Sequence, residues 1–182
     1  VYMYWRPSAQ RIYSYNPNIK LIVLLRNPMA RAYSQWTMDF ARGRENLSFS
    51  DALHRETALS SQSFGSQHRV YSYIDRGRYC IQLCRLLKIF PRHQVCILGS
   101  EELFYAPRVL LQRVADFLGI SPFTVGTNIH ERKGACETLL SRQDWEYIYD
   151  KLKSDISQLE SLLGWDCSTW REPWPEVLRE TL

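Results

Sequence analysis

The clearest feature of the hydrophobic pattern is the segment 20–26, in which Lys20 and Arg26 flank a continuous apolar run. Such a run fits a β-strand that is covered on both faces, as in a parallel sheet, better than a strand that faces water. Asn27 and Pro28 follow it, and an N-cap residue before a proline predicts a helix from Met29 to about Ala41. Strand, tight turn and helix together make half of a βαβ unit.

Elsewhere, apolar residues recur at helical spacing in segments that end at residues typical of helix ends. This spacing predicts further helices at residues 7–15, 51–59, 79–90, 110–118 and 145–163, and one more strand at residues 94–98. We therefore assign the α/β class, as a three-layer sandwich with a central parallel sheet. Two strands are few, because parallel strands need neighbours and such sheets have about four to six strands. The pattern thus predicts that further strands precede Val1.

Composition limits the class of protein. A chain of 182 residues with 45% hydrophobic content is long enough for one domain, residues 1–182, and short for two. Polar residues concentrate at 42–72, which predicts a mobile insertion on the substrate side. The longest apolar run, Leu21–Leu25, is far below the roughly 18 to 20 residues of a membrane-spanning helix. Five cysteines, an odd number, are not typical of a secreted disulfide scaffold, so we expect a cytoplasmic protein.

Charge indicates an anionic ligand. The net charge of +4 is carried mostly by arginine, which suits recognition of phosphate or sulfate. Arg26 ends the first predicted strand and Ser34 lies in the following helix, so both can face the crevice where open α/β sheets bind ligands. The helix N-terminus is expected to add free backbone N–H groups. A phosphate dianion suits this arrangement, and an equally weighted alternative is that Arg26 pairs with a carboxylate.

A second basic element, Arg132-Lys133-Gly134, precedes the last long helix. Gly134 allows close backbone approach, and the two cations can clamp the same anion, although a solvated pair of loop charges is the commoner arrangement. We interpret Cys80 and Cys84, on one predicted helix, as core residues. Neither the histidines nor the cysteines have the spacing of a metal site, and no nucleic-acid motif accompanies the basic residues. We therefore expect no metal and no nucleic acid.

The segment Arg26-Asn-Pro-Met-Ala-Arg31-Ala-Tyr-Ser34, between strand and helix, resembles a known motif. It is similar to R-[DEN]-P-x-x-R-A-x-S, the 3′-phosphate-binding segment of sulfotransferases that use 3′-phosphoadenosine 5′-phosphosulfate, with particular likeness to bacterial relatives of the heparan sulfate sulfotransferases. Other segments also resemble this family. They are its G-x-Y-x-x-Q-L helix at 77–83, its E-[DE]-L-x-x-x-P turn at 101–107, its FLG helix end at 117–119 and its basic R-K-G loop at 132–134.

The resemblance implies a fold like that of P-loop nucleotide hydrolases and a transfer of sulfate from the activated nucleotide to a hydroxyl or amine. The acceptor would be a small molecule or a glycan, the product adenosine 3′,5′-bisphosphate, and no metal would be needed. By position, Arg26 and Ser34 would hold the 3′-phosphate and the Arg132-Lys133-Gly134 loop would close over it. Tyr79 would lie near the nucleotide, although a tyrosine on an amphipathic helix is more often a core residue.

The sequence also departs from the family. Family members carry a phosphate loop with a lysine and a catalytic Glu or His near the N-terminus, and none of the five lysines here lies in a Gly-Lys-Ser/Thr loop. We expect these elements upstream of Val1, so the catalytic residues are unknown and the chain alone is predicted to be inactive. One alternative is a degenerate domain that binds adenosine 3′,5′-bisphosphate, or a protein partner, without turnover. A P-loop kinase would require a Walker lysine, which the sequence lacks.

Overall fold

The computed structural model describes residues 2–62, 71–123 and 140–171. Two compact units make up the chain: Val1–Arg26 with Ile81–His130, and Asn27–Cys80 with Glu131–Leu182. Among the described residues the elements are α1 (Arg6–Tyr15), β1 (Leu21–Leu25), α2 (Pro28–Ala41), α3 (Phe49–Gln62), α4 (Tyr79–Leu87), β2 (Val95–Gly99), α5 (Glu102–Tyr105), α6 (Pro107–Leu118) and α7 (Arg142–Leu163). None of these helices has the length and apolar character needed to cross a membrane.

The first unit is built on a parallel pair of strands. β1 pairs with β2 in a register that sets Leu21 opposite Val95 and Leu25 opposite Gly99. Beyond the last pair, the Ser100 N–H donates to the Leu25 carbonyl at 2.6 Å. Parallel strands need a long crossover connection, and the described part of the connection from β1 to β2 contains α2, α3 and α4. The α/β class is therefore confirmed.

One face of β1 is less covered than the sequence predicts. Ile22 is 46% exposed and Leu24 is 52% exposed, so the expectation that both faces are covered is wrong for this strand. The physical reason is the placement of α6. Opposite Leu24, Leu98 packs with Leu110 and Val114 of α6 in a buried cluster, which covers β2 and leaves the neighbouring side chains of β1 half exposed.

α6 ends where the sequence indicates. Gly119 follows its last residue with φ of +74°, a left-handed conformation that costs glycine little. The Lys20 ammonium group donates to the carbonyls of Phe117 and Leu118 at 2.6 and 3.1 Å. A cation at this end of a helix satisfies carbonyls without an intrahelical partner and opposes the negative end of the helix dipole.

The second unit is centred on α7. The Ser141 hydroxyl caps this helix by accepting the Asp144 N–H at 3.0 Å, and Gly164 ends it with φ of +67°. The buried face of α7 consists of Trp145, Ile148, Leu152, Asp155, Ile156 and Leu159.

Asp155 is the one charged residue on this buried face. One of its carboxylate oxygens accepts the Cys80 N–H at 2.9 Å, in the first turn of α4. A carboxylate from α7 thus caps the start of α4 by binding the N–H of a residue that lies 75 positions earlier in the sequence.

Gly77 marks a close approach within this unit. A Cβ atom added at Gly77 would lie 2.8 Å from Leu152 Cδ1 and 3.1 Å from Pro28 Cβ. Leu152 is completely buried and the proline ring is rigid, so neither neighbour can move away at low cost.

We expect Gly77→Ala to destabilise the protein by about 1–3 kcal/mol, because overpacking a buried contact forces neighbouring groups to shift. Urea denaturation would measure the change. Gly99→Ala is the matched control, since its Cβ would come no nearer than 3.4 Å to Glu102 Oε1. Equal losses in the two variants would contradict this assignment of Gly77.

Candidate functional site

The carboxyl end of β1 leads directly into α2. Arg26 follows the strand and is partly buried, and the buried Asn27 caps the helix. Asn27 Oδ1 accepts the N–H groups of Met29 and Ala30 at 3.0 and 3.2 Å. The N-cap and the proline at the first helical position are where the sequence predicts them.

The free N–H groups that we expected at this helix N-terminus are not found. Pro28 has no N–H, Met29 and Ala30 donate to the Asn27 side chain, and the Arg31 N–H donates to the Asn27 carbonyl at 2.9 Å. That expectation is therefore wrong. The physical reason is that a capping asparagine uses the donors that an anion would otherwise bind. The N–H groups of residues 29–31 are therefore not available to an anion at this junction.

Ser34 lies on α2, eight residues after Arg26, and its side chain is exposed to solvent. The hydroxyl of Ser34 is thus accessible to a ligand. Arg132, Lys133 and Gly134 lie outside the described residues, so their predicted role stays a prediction.

Tyr79 is buried at the start of α4. Its ring meets that of Trp170 edge-on, with centroids 6.3 Å apart and planes at 70°. This geometry favours the packing alternative that the sequence also allows for Tyr79, because an aromatic pair of this kind stabilises a core.

Arg31, the second arginine of the motif, has a structural contact that we did not predict. Its guanidinium donates to Gln35 Oε1 at 2.8 Å and to the Tyr73 carbonyl. The spacing of Arg31 and Gln35, four residues apart on a helix, is a sequence signal for the first contact. The second joins α2 to a segment about 40 residues away, and no local pattern indicates it.

Glu45 is a buried carboxylate in the segment that follows α2. It accepts hydrogen bonds from the Arg55 guanidinium, from the Tyr73 hydroxyl at 2.9 Å and from the N–H groups of Asn46 and Leu47. Burial alone would raise the pKa of Glu45, but these donors, Arg55 foremost, hold its pKa below the usual 4.5. Burial and the neighbouring Glu45 carboxylate raise the pKa of Tyr73 far above its usual range. Both groups are therefore fixed in one protonation state at neutral pH.

Glu56, on α3, binds the backbone of Tyr73 and the two residues after it, whereas Glu45 binds the Tyr73 hydroxyl. The Glu56 carboxylate accepts the N–H groups of Tyr73 and Ile74, both at 2.7 Å, and that of Asp75 at 2.9 Å. Burial raises the pKa of Glu56, and the nearby Asp75 carboxylate adds to this, against the opposing effect of the three N–H donors. These contacts fix the 3₁₀ turn Asp75–Gly77, which leads into α4.

A cavity of about 620 Å³ opens beside β2, and Arg26, Ser34 and Tyr79, the predicted nucleotide-binding residues that the structure describes, are not among the residues that line it. Two arginines that line the cavity already bind protein groups: Arg92 donates to the Val95 carbonyl, and Arg113 forms an ion pair with Glu102. It is not the predicted anion site.

The cysteines correct one prediction. Cys80 is buried as expected, but Cys84 is exposed. One turn later on α4, Cys84 lies about 40° further around the helix than Cys80, toward the side of the exposed Ile81. Within the described part of the chain, no group of His, Cys, Asp and Glu side chains is arranged to hold a metal ion.

Comparisons with known proteins agree on one family. The profile of the sulfotransferase domain matches residues 8–155. Heparan sulfate glucosamine 3-O-sulfotransferase 3B1 of Mus musculus is 32% identical over 119 residues, which are 65% of this chain and 29% of that protein. Heparan sulfate glucosamine 3-O-sulfotransferase 6 of Homo sapiens is 32% identical over 120 residues, 65% of this chain and 33% of that protein.

A solved structure shows the same likeness. The crystal structure of a sulfotransferase from Alicyclobacillus acidocaldarius matches 94% of this chain with a TM-score of 0.76 and 28% identity. The match covers 65% of that protein, and the chain spans about a third or less of the two relatives above. The resemblance that the sequence motifs indicated is confirmed.

We expect Glu45→Gln to destabilise the protein at pH 7 by about 2–4 kcal/mol, because it leaves the Arg55 guanidinium without its buried partner. The pKa of Glu45 is lowered on folding, so its contribution is complete above pH 4.5 and is lost as the pH falls through the lower, folded-state value. Urea denaturation at several pH values would therefore show the gap between wild type and variant closing in acid. Glu146→Gln, in an exposed ion pair with Arg142, is the control and should change stability little.

Proposed function

Because the chain belongs to the sulfotransferase domain family, we propose that it supplies the 3′-phosphate side of the nucleotide site of a sulfotransferase. The donor is 3′-phosphoadenosine 5′-phosphosulfate, and the acceptor is a hydroxyl or an amine. One observation carries the proposal: Arg26 follows β1 at its carboxyl end, and the exposed Ser34 lies on the helix that begins two residues later.

The donor set fits a phosphate monoester. A guanidinium donates in a planar fork and a hydroxyl adds a third donor, whereas a phosphate dianion offers only acceptors. Because the N–H groups of residues 29–31 are already bound, Arg26 and Ser34 are the groups proposed to bind the phosphate and orient the nucleotide. The Arg132-Lys133-Gly134 loop falls inside the family match and is proposed to close over the same group. Tyr79 is proposed to support the cleft by packing rather than by contact with the nucleotide.

When bound, the nucleotide carries the sulfuryl group, whose bond to the 5′-phosphate breaks as the acceptor oxygen or nitrogen attacks sulfur. The residues of this chain position the far end of the nucleotide for that in-line step. No residue of this chain is proposed as the catalytic base or as the cation at the leaving phosphate, because the sequence has no Gly-Lys-Ser/Thr loop.

A carbohydrate is the proposed acceptor class. Two relatives named above are heparan sulfate glucosamine 3-O-sulfotransferases, and the net charge of +4 would favour approach of an anionic glycan. The competing proposal is a domain that binds adenosine 3′,5′-bisphosphate without turnover. A measurement of sulfate transfer by the protein separates the two proposals.

We expect Arg26→Ala to weaken binding of adenosine 3′,5′-bisphosphate by on the order of 2–5 kcal/mol, because it removes a charge-assisted partner of the phosphate. Ser34→Ala removes one hydrogen bond to a charged group, and its loss should be smaller, about 1.5–3 kcal/mol. Isothermal titration calorimetry would measure both.

The matched control for this experiment is Arg108→Ala, which removes an exposed arginine from α6 and lowers the net charge equally. Its affinity should stay close to that of wild type. If Arg26→Ala and Arg108→Ala bind equally well, Arg26 is not part of the site.

Residues 1–182 alone are expected to show no enzyme-like sulfate transfer, because the groups that would stabilise the leaving phosphate and remove the acceptor proton are missing. A radiolabelled-sulfate assay with a glucosamine-containing glycan would test this. Turnover at rates of about 1 s⁻¹ or more, typical of enzymes, would show that the chain contains a complete catalytic site.

A further inference from the structure

Tyr73 is held at three separate polar groups by three charged residues from different segments. Its carbonyl accepts from Arg31 of α2, its N–H donates to Glu56 of α3, and its hydroxyl donates to Glu45. The side chain of Tyr73 is completely buried. Burying several charged and polar groups around one residue costs folding free energy unless hydrogen bonds replace the water that these groups lose.

The contacts of Glu56 and Arg31 meet at the same short backbone segment. Glu56 binds the N–H groups of Tyr73, Ile74 and Asp75 at 2.7 to 2.9 Å, which fixes the peptide planes of this segment. The Tyr73 carbonyl belongs to the same short segment and accepts from Arg31, one helical turn before Ser34. Arg31 of α2 therefore binds a carbonyl in a segment whose N–H groups are bound by Glu56.

We infer that Glu56 is a positioning residue for the 3′-phosphate site, acting through the Tyr73–Asp75 backbone and Arg31 on the helix that carries Ser34. This inference rests on the proposed function, because it assigns Glu56 a role in ligand binding in addition to stability. Glu45 contacts the same tyrosine only through the hydroxyl group. It therefore stabilises the core but does not orient the carbonyl that Arg31 binds.

Glu56→Gln breaks this chain of contacts at its first step. Two carboxylate oxygens accept three N–H groups, whereas an amide has one oxygen and turns an NH₂ donor toward the remaining N–H. One Glu56 oxygen accepts from Tyr73 and Ile74 and the other from Asp75, so in either orientation the NH₂ group of Gln faces at least one of these N–H donors. The Tyr73–Asp75 segment, which carries the Tyr73 carbonyl, is expected to shift to relieve that contact. Glu45→Gln is the matched control, since it is the same substitution at a second buried carboxylate on the same tyrosine.

The test compares wild type, Glu56→Gln and Glu45→Gln by calorimetry with adenosine 3′,5′-bisphosphate and with adenosine 5′-monophosphate, which lacks the 3′-phosphate. All three are measured at a temperature where circular dichroism shows them folded. Glu56→Gln should bind the bisphosphate about three- to thirtyfold more weakly, through misplaced ligand groups, and the monophosphate nearly unchanged. Amide NMR signals of residues 73–75 should move in Glu56→Gln, and Glu45→Gln should bind both nucleotides as wild type does.

A second variant tests the other end of the contact. Arg31→Lys keeps the charge but loses the fork that reaches both Gln35 and Tyr73, so its loss should be selective for the bisphosphate as well. In the double variant the two losses should not add, since both act through one carbonyl. If Glu56→Gln does not fold, Arg31→Lys alone decides the question.

Three results would overturn the inference. They are wild-type affinity for the bisphosphate in folded Glu56→Gln or in Arg31→Lys, equal losses in Glu56→Gln and Glu45→Gln, and a loss of the same size for both nucleotides. Failure of the proposed function looks different, because wild type itself would then show no preference for the nucleotide with a 3′-phosphate.

Discussion

The parallel pairing of β1 with β2 is the constraint on which the rest of the architecture depends. Parallel strands cannot be joined by a hairpin, so the chain must leave β1 at its carboxyl end and return to the start of β2 through a long connection. That requirement puts Arg26 at a strand end and makes α2 the first element of the crossover. The same edge of a parallel sheet is where such folds bind ligands, because the strand ends and helix starts meet there.

Satisfaction of buried charge is the second constraint. The segment between α2 and α4 is polar in sequence, yet Glu45 and Glu56 are buried in it. Each carboxylate has at least three hydrogen-bond donors, which replace the water lost on folding. The polar residues in this part of the chain thus form a buried hydrogen-bond network as well as exposed surface. That residues 42–72 form a mobile insertion on the substrate side stays a prediction.

Local signals in the sequence predicted most of the element positions. Asn27 and Pro28 mark the start of α2, Gly119 marks the end of α6, and the apolar run within 20–26 contains β1, because caps and glycine stops act over a few residues. A motif likewise identified Arg26 and Ser34, whose role stays a prediction.

Features that depend on distant partners were not predictable from pattern. The exposure of Ile22 depends on where α6 packs, and the exposure of Cys84 on which face of α4 is covered. The contact from Arg31 to the Tyr73 carbonyl joins residues 42 positions apart. No local sequence pattern indicates that these two residues meet. The occupied N–H groups of α2 are a different case, because the asparagine cap that the sequence predicts itself binds two of them.

The bond from the Cys80 N–H to Asp155 has a consequence for how the protein is made. The donor leaves the ribosome long before the acceptor, which is 75 residues further along the chain. During translation the first turn of α4 must therefore wait for α7, and the second unit can reach its final form only when most of the polypeptide has been synthesised.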